Sequence, residues 1–116
     1  MNWYKIAQEE LDIYFQKEII NDVSEIKAID KLTQKRLGYV DYIQKDDYIY
    51  IYYIKVEPQY IRKQIGSKLI KEIMKEENVT YQEINWGLIT GQGTLLKDKL
   101  DQELGKSPFP EYQTSN

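Results

Sequence analysis

The stretch Ile54-Lys55-Val56-Glu57-Pro58-Gln59-Tyr60-Ile61-Arg62-Lys63-Gln64-Ile65-Gly66-Ser67-Lys68-Leu69 decides how this chain folds. Its first residues close the run Tyr48 to Val56, whose β-branched and aromatic composition predicts a strand. Pro58 ends that strand, because proline has no N–H to offer a ladder. From Ile61 the apolar residues fall at 61, 65, 69 and 73, with Ile70 and Met74 beside them, which predicts a helix running to about Glu77 and packing on the sheet. A buried strand therefore passes through a short turn into a helix whose opening carries Arg62, Lys63, Gly66, Ser67 and Lys68. Helix N-termini present unpaired N–H groups and about half a positive charge, so this arrangement suits a phosphate or pyrophosphate. Gly66 would let such a ligand approach the backbone closely. Charge placement points the same way. Arg62 and Lys63 sit in the first turn of the expected helix and Glu76-Glu77 in the last, opposite to what the helix dipole favours. A bound anion would neutralise the basic start, whereas a solvated helix face accounts for the acidic end.

Working outward, Arg36 to Gln44 is a second β-branched and aromatic run, joined to Tyr48–Val56 by the turn Lys45-Asp46-Asp47. Tyr48 to Val56 is apolar or aromatic at nearly every position, so a central strand covered on both faces is expected. Glu25 to Asp30 alternates apolar and polar residues as a strand does, bounded by turns at Asn21-Asp22-Val23-Ser24 and around Thr33. Leu11 to Ile20 fits both a strand and a helical stripe and is read as a strand. Downstream, Thr80 to Ile89 reads as a strand, Gly91 and Gly93 break it, and Thr94 to Leu104 forms a short amphipathic helix through Leu95, Leu96, Leu100 and Leu104. The expected fold is α+β, a mostly antiparallel mixed sheet of about five strands in one domain over residues 1–106, with 107–116 a loose tail.

Composition narrows the chemistry. The 116 residues contain no Cys and no His, which excludes disulfides, Cys or His metal sites, thiol nucleophiles and imidazole bases. Carboxylates, Lys, Tyr, backbone amides or a bound cofactor must supply any reaction. A net charge of -3 gives no basic field for nucleic acid, and no apolar run long enough to span a bilayer is present, so a cytoplasmic protein is expected. The acidic pairs Glu9-Glu10, Asp46-Asp47 and Glu76-Glu77 are sequence neighbours whose side chains diverge, so solvated turns and termini explain them and no metal site is expected. Trp3 and Trp86 are read as packing residues, and Gly91-Gln92-Gly93 as a helix-start turn.

The strand, Val56-Glu57-Pro58, a tyrosine, and then Arg62-Lys63-x-Ile65-Gly66-Ser67-Lys68-Leu69 resemble motif A of the GNAT acetyltransferase superfamily, written Arg/Gln-x-x-Gly-x-Gly/Ala. The resemblance covers about residues 36–104. It implies an acetyl-CoA-dependent N-acetyltransferase acting on a primary amine, of a small molecule or a protein lysine, by direct attack on the thioester. It implies that Val56 and the loop residues Arg62, Lys63, Gln64, Ile65, Gly66 and Ser67 hold the cofactor, with the cofactor lying where strands ending near Val56 and Trp86 splay apart. Ile61 stands where Arg or Gln is usual, and Gln64 replaces the first motif glycine. The chain also lacks the two helices that many members place between their first two strands, and it stops before their final hairpin. Several members carry a catalytic glutamate at the position of Tyr50, and a phenol is a poor base at neutral pH, so Glu57 or a water would have to assist. Many also carry a tyrosine on the last helix as the acid for the thiolate; here Lys97 is the available substitute. Tyr48, Tyr50 and Tyr52 otherwise read as sheet-face aromatics. The missing groups support a second reading, a GNAT-fold binding or inhibitor module, from a mobile element or phage, that has lost turnover.

Overall fold

The computed structural model describes residues 12–87 and 91–105, and of Ile61, Arg62, Lys63 and Gln92 the backbone alone. Five strands, β1 (Ile13–Ile20), β2 (Val23–Asp30), β3 (Arg36–Gln44), β4 (Ile49–Val56) and β5 (Ile84–Asn85), form one sheet in the order β1-β2-β3-β4-β5. The first three pairings are antiparallel and β4 pairs β5 in parallel. Helix α1 (Ile65–Glu77) makes the crossover between β4 and β5, and α2 (Gln92–Glu103) follows. This is the α+β mixed sheet that the patterning predicts. The stretches 1–11 and 106–116, which carry Trp3, Glu9-Glu10 and the expected domain boundary, lie outside the described residues.

Local chemistry sets the connections. Asn21 and Asp22 have φ of 50° and 70°, the left-handed region that Asn and Asp tolerate best, and they form a two-residue turn that opposes Ile20 to Val23. The turn is thus shorter than Asn21 to Ser24, and no helix stands between β1 and β2. Between β2 and β3, Asp30 accepts the Leu32 N–H through Oδ1 at 3.0 Å and so shapes the bend from its own side chain.

The expectation that β4 is covered on both faces fails, and a β-bulge explains why. Asp41 opposes Tyr53 while the next residue, Tyr42, opposes Ile51, so Tyr52 is an extra residue on β4. The inward alternation therefore runs Ile49, Ile51 and then Ile54, Val56, leaving Tyr52 and Tyr53, 57% and 51% exposed, on the other face. The apolar run encodes a phase change in a one-sided strand.

One face of the sheet packs on α1. Ile26, Ala28, Leu37, Val40, Tyr42, Ile49 and Ile51 meet Ile65, Leu69, Ile70 and Ile73 in a continuous buried core. The helical stripe is confirmed at 65, 69 and 73, but the helix begins at Ile65. Residues Pro58–Lys63 form a separate 3₁₀ turn, and Gln64, with φ 62° and ψ 30°, breaks it from α1. Arg62 and Lys63 accordingly precede the helix and do not lie in its first turn. At the other end Asn78 adopts φ 56° and Val79 N–H donates to the Met74 carbonyl, which closes the helix.

The acidic C-terminus of α1 is not simply solvated. Tyr42 donates to Glu77 Oε2 at 2.6 Å, and Lys17 reaches the same oxygen at 2.7 Å. Burial pushes the Glu77 carboxyl up, but these two hydrogen bonds outweigh it and hold the group below its usual range. The misplaced charge anchors α1 to β1 and β3.

The strand expected over residues 80–89 is mostly something else. Glu83 accepts the Thr80 N–H at 2.7 Å through Oε1 and returns its own N–H to the Thr80 carbonyl at 3.0 Å, closing a 3₁₀ turn over Tyr81–Glu83. Only Ile84 and Asn85 pair with β4, opposite Ile49 and Tyr50, and residues 88–90 lie outside the described residues. Helix α2 starts at Gln92, earlier than Thr94, and its Leu95 points out at 73% exposed while Leu100 is fully buried. Trp86 donates to the Tyr81 hydroxyl at 3.1 Å and Tyr81 to Asp101 Oδ1 at 2.7 Å, which ties β5 to α2 and makes Trp86 the packing residue it was expected to be.

Candidate active site

Because β5 pairs with β4 only as far as Tyr50 and Asn85, the two chains part beyond those residues, and the gap is closed at the back by α1 and at the side by α2. Gly87 sits at the parting. Its φ is +41°, and a Cβ there would lie 2.6 Å from the Ile51 carbonyl oxygen and 2.9 Å from the Tyr50 hydroxyl, so only glycine allows this approach. Farther along β4, between it, the start of α1 and α2, a cleft has a cavity of about 210 Å³ lined by Ile54 and Val56 of β4, Gln64, Gly66 and Ser67 at the start of α1, and Leu95, Leu96 and Lys99 of α2. Its walls are apolar along β4 and α2. Its polar end is the start of α1.

That end is built to take hydrogen-bond acceptors. The Gln64 carbonyl accepts the Lys68 N–H at 3.1 Å, the first turn of a thirteen-residue helix, so the amides before Lys68 have no intrahelical partner. Ser67 is 2% exposed and its Oγ has no hydrogen-bond partner, which is costly unless a ligand supplies one. Gly66 plays a different part from the one expected. A Cβ on it would meet Leu96 Cδ2 at 2.9 Å, so the missing side chain lets α2 close over α1. Of the expected cofactor residues, Val56, Gln64, Gly66 and Ser67 line the cleft, Ile65 is fully buried beneath it, and Arg62 and Lys63 have only their backbone described.

The expected catalytic pair does not meet. Tyr50 is half-buried against Gly87, with its ring 6.4 Å from that of Tyr52, whereas Glu57 lies past the far end of the strand. Seven residues of strand separate them by roughly 20 Å. Glu57 gives its backbone to the Leu37 carbonyl and to the Tyr60 N–H, and its carboxylate lies 3.8 Å from the Arg36 guanidinium. Lys97 is bound to Asp101 Oδ2 at 2.8 Å. Among the described residues, the cleft lining contains no carboxyl and no phenol.

The opposite sheet face holds groups that sequence reasoning missed. Glu25, Asp41 and Tyr53 are direct cross-strand neighbours on β2, β3 and β4. Burial, then a hydrogen bond with Glu25 and its charge, push the Asp41 carboxyl up to about 7. Only the bulge register reveals this juxtaposition, and no spacing in the sequence signals it.

Residues 2–81 match the family model described as "Acetyltransferase (GNAT) family". This chain belongs to the GNAT acetyltransferase family. A search of the curated proteins finds no match. Among solved structures, the GNAT chain is similar to the aminoglycoside 6'-N-acetyltransferase AAC(6')-Ih from Acinetobacter baumannii, with 17% identity, a TM-score of 0.52, and coverage of 84% of this chain and 72% of the other. It is likewise similar to AAC(6')-Iy in complex with the bisubstrate analog CoA-S-monomethyl-acetylneamine, with 12% identity, a TM-score of 0.53, and coverage of 84% and 70%. These likenesses place the sheet and its two helices in the GNAT fold. Gln64 holds a left-handed backbone, the conformation that glycine adopts most readily. Among the described residues no cluster of carboxylates could hold a metal ion, and no helix is long and apolar enough to cross a membrane.

Proposed function

We propose that this GNAT protein is an acetyl-CoA-dependent N-acetyltransferase that transfers an acetyl group to a primary amine. The observation that carries the reading is Ser67 Oγ, buried and without a partner at a helix N-terminus that ends an apolar cleft. A phosphate at this point would satisfy the hydroxyl and the free amides together, and the helix dipole favours its charge. Ile54, Val56, Leu95 and Leu96 would line the path of the pantetheine arm, with Lys99 at the rim and the backbone of Arg62 to Gln64 beside the pyrophosphate. Acetyl-CoA supplies the thioester, an activated acyl group that needs no Cys or His from the protein. The residues of the chain bind, orient and exclude water, the part of catalysis that proximity provides. The resemblance of the fold to a chain whose complex contains a CoA bisubstrate analog supports this choice of cofactor.

The second reading, a GNAT-fold binding module without turnover and working in the cytoplasm as an inhibitor or adaptor, is favoured by one observation: among the described residues lining the cleft there is no carboxylate or phenolate to take a proton from an amine. Isothermal titration with CoA and acetyl-CoA tests the first reading. Binding in the micromolar range is expected, and no binding at millimolar cofactor refutes it. Binding with no acetyl transfer to small amines or to lysine-bearing proteins supports the second.

A further inference from the structure

The acetyltransfer reading leaves a chemical question. An ammonium must lose a proton before its nitrogen can attack, and the described residues lining the cleft include no carboxyl to accept it. We propose that Asp41 receives the acceptor: from the sheet face opposite the cofactor cleft, its carboxyl holds the substrate ammonium and takes up its proton. This inference rests on the acetyltransfer reading and adds to it the group that makes turnover possible.

Three features of that face support it. First, β5 leaves β4 after Tyr50, so the gap that would hold the thioester, closed at the back by α1, opens toward the face away from α1, and Tyr53, opposite Asp41, stands on the part of β4 beyond that pairing. Adjacent strands are about 4.8 Å apart, which puts Asp41 one strand from that gap. Second, Asp41 Oδ1 is buried and has no hydrogen-bond donor. A donor brought by a ligand would meet that need. Third, Glu25 faces Asp41 directly, and two carboxyls this close do not both ionise without cost. Lys27 does not relieve them evenly, because its ammonium lies 3.6 Å from Glu25 Oε1 and 3.5 Å from Glu18. Also on this face are the rings of Tyr39 and Tyr53, 5.9 Å apart, Lys55 opposite Tyr39 on β4, and Arg36, whose guanidinium stacks at 4.6 Å on Tyr39. A cation replaces a shared proton well, and aromatic rings alongside add to its attraction.

The protons balance. The bound ammonium passes one proton to ionised Asp41; its nitrogen forms the C–N bond with the acyl carbon as the C–S bond breaks; the second nitrogen proton goes to the released sulfur. Asp41 then loses its proton to solvent. Since Asp41 titrates at about 7, the ionised form and hence the rate increase as pH rises through that value.

The test uses the full chain loaded with CoA for binding, or acetyl-CoA for turnover, with spermidine and Nα-acetyl-lysine as amine probes. Binding is read by titration calorimetry and turnover by thiol release between about pH 5.5 and pH 9. Wild type is expected to bind at least one amine and to show a rate that climbs through about pH 7. Asp41→Asn should keep CoA affinity, weaken amine binding at least tenfold and lose about a hundredfold or more in rate. Glu25→Gln removes the facing charge and should move the climb roughly one pH unit lower while keeping turnover. Unchanged rate and profile in Asp41→Asn overturn the proposal, as does an unmoved profile in Glu25→Gln. A CoA-binding wild type that neither binds nor acetylates the amines overturns it too, while absence of CoA binding overturns the acetyltransfer reading itself.

Discussion

Gln64→Gly should make this protein more stable. Gln64 holds φ 62° and ψ 30° at the junction between the 3₁₀ turn and α1. For a residue with a Cβ this left-handed conformation costs about 1–2 kcal/mol. Asn and Asp lower that cost by hydrogen bonding locally, and at Gln34, also left-handed with φ 63°, Nε2 donates to the Lys31 carbonyl at 2.9 Å, whereas Gln64 makes no side-chain capping bond. Glycine would lose about 0.4–1 kcal/mol of that relief to the greater freedom of the unfolded chain. The net gain is about 0.5–1 kcal/mol, or roughly 2–6 °C in Tm for a domain of this size. The Gln64 carbonyl keeps its bond from Lys68, so the first turn of α1 is undisturbed. Because Gln64 lines the cleft, the shorter residue also opens it, and CoA affinity should hold or improve. Differential scanning calorimetry of wild type, Gln64→Gly and Gln64→Ala separates backbone from side chain. Alanine keeps the Cβ and should leave Tm near wild type. A glycine variant that melts below wild type would show that the left-handed backbone is not the governing cost, and the argument would be wrong.

Two further substitutions test the packing around the site. Ser67→Ala removes an orphaned hydroxyl, so the free protein should melt at the same temperature or slightly higher, while CoA affinity falls about tenfold or more through loss of a charge-assisted hydrogen bond; equal affinity would remove Ser67 from the phosphate site. Glu77→Gln should cost about 1–2 kcal/mol at neutral pH, because it weakens the bonds from Tyr42 and Lys17. Glu77 is held below the ordinary carboxyl value of 4.5, so its contribution is present above that pH and is lost as pH falls through the lowered value; denaturation curves that differ equally at pH 3 and pH 7 would contradict this.

Strand and helix identities were legible because the hairpin Arg36–Val56 and the stripe at 65, 69 and 73 are strongly periodic. The motif residues that line the cleft were legible for the same reason, since their positions follow from one strand, one turn and one helix. The missed features depend on contacts between distant segments. A bulge at Tyr52 turns two successive tyrosines to one face, and nothing local marks which residue is the extra one. Glu77 looked like a badly placed charge until Lys17 and Tyr42, far off in sequence, were seen to bind it. Nothing in the sequence marks Asp41, because its partner Glu25 lies on another strand. The 3₁₀ turn at Tyr81–Glu83 is a local feature, written in Thr80-x-x-Glu83, that the apolar pattern of residues 80–89 obscured.

The two-residue connection at Asn21-Asp22 also bears on the order in which the molecule assembles. With no helices between β1 and β2, every antiparallel pairing joins strands adjacent in sequence, the low-contact-order arrangement that forms fastest. The parallel pairing must wait for the whole α1 crossover, and among the described residues it is secured by two residues on each side. The wedge between β4 and β5 is then the last part to form and the first to open, the low-stability end of the fold. A ligand bridging β4, α1 and α2 would complete this part of the fold, so cofactor binding and the final folding step would draw on the same contacts.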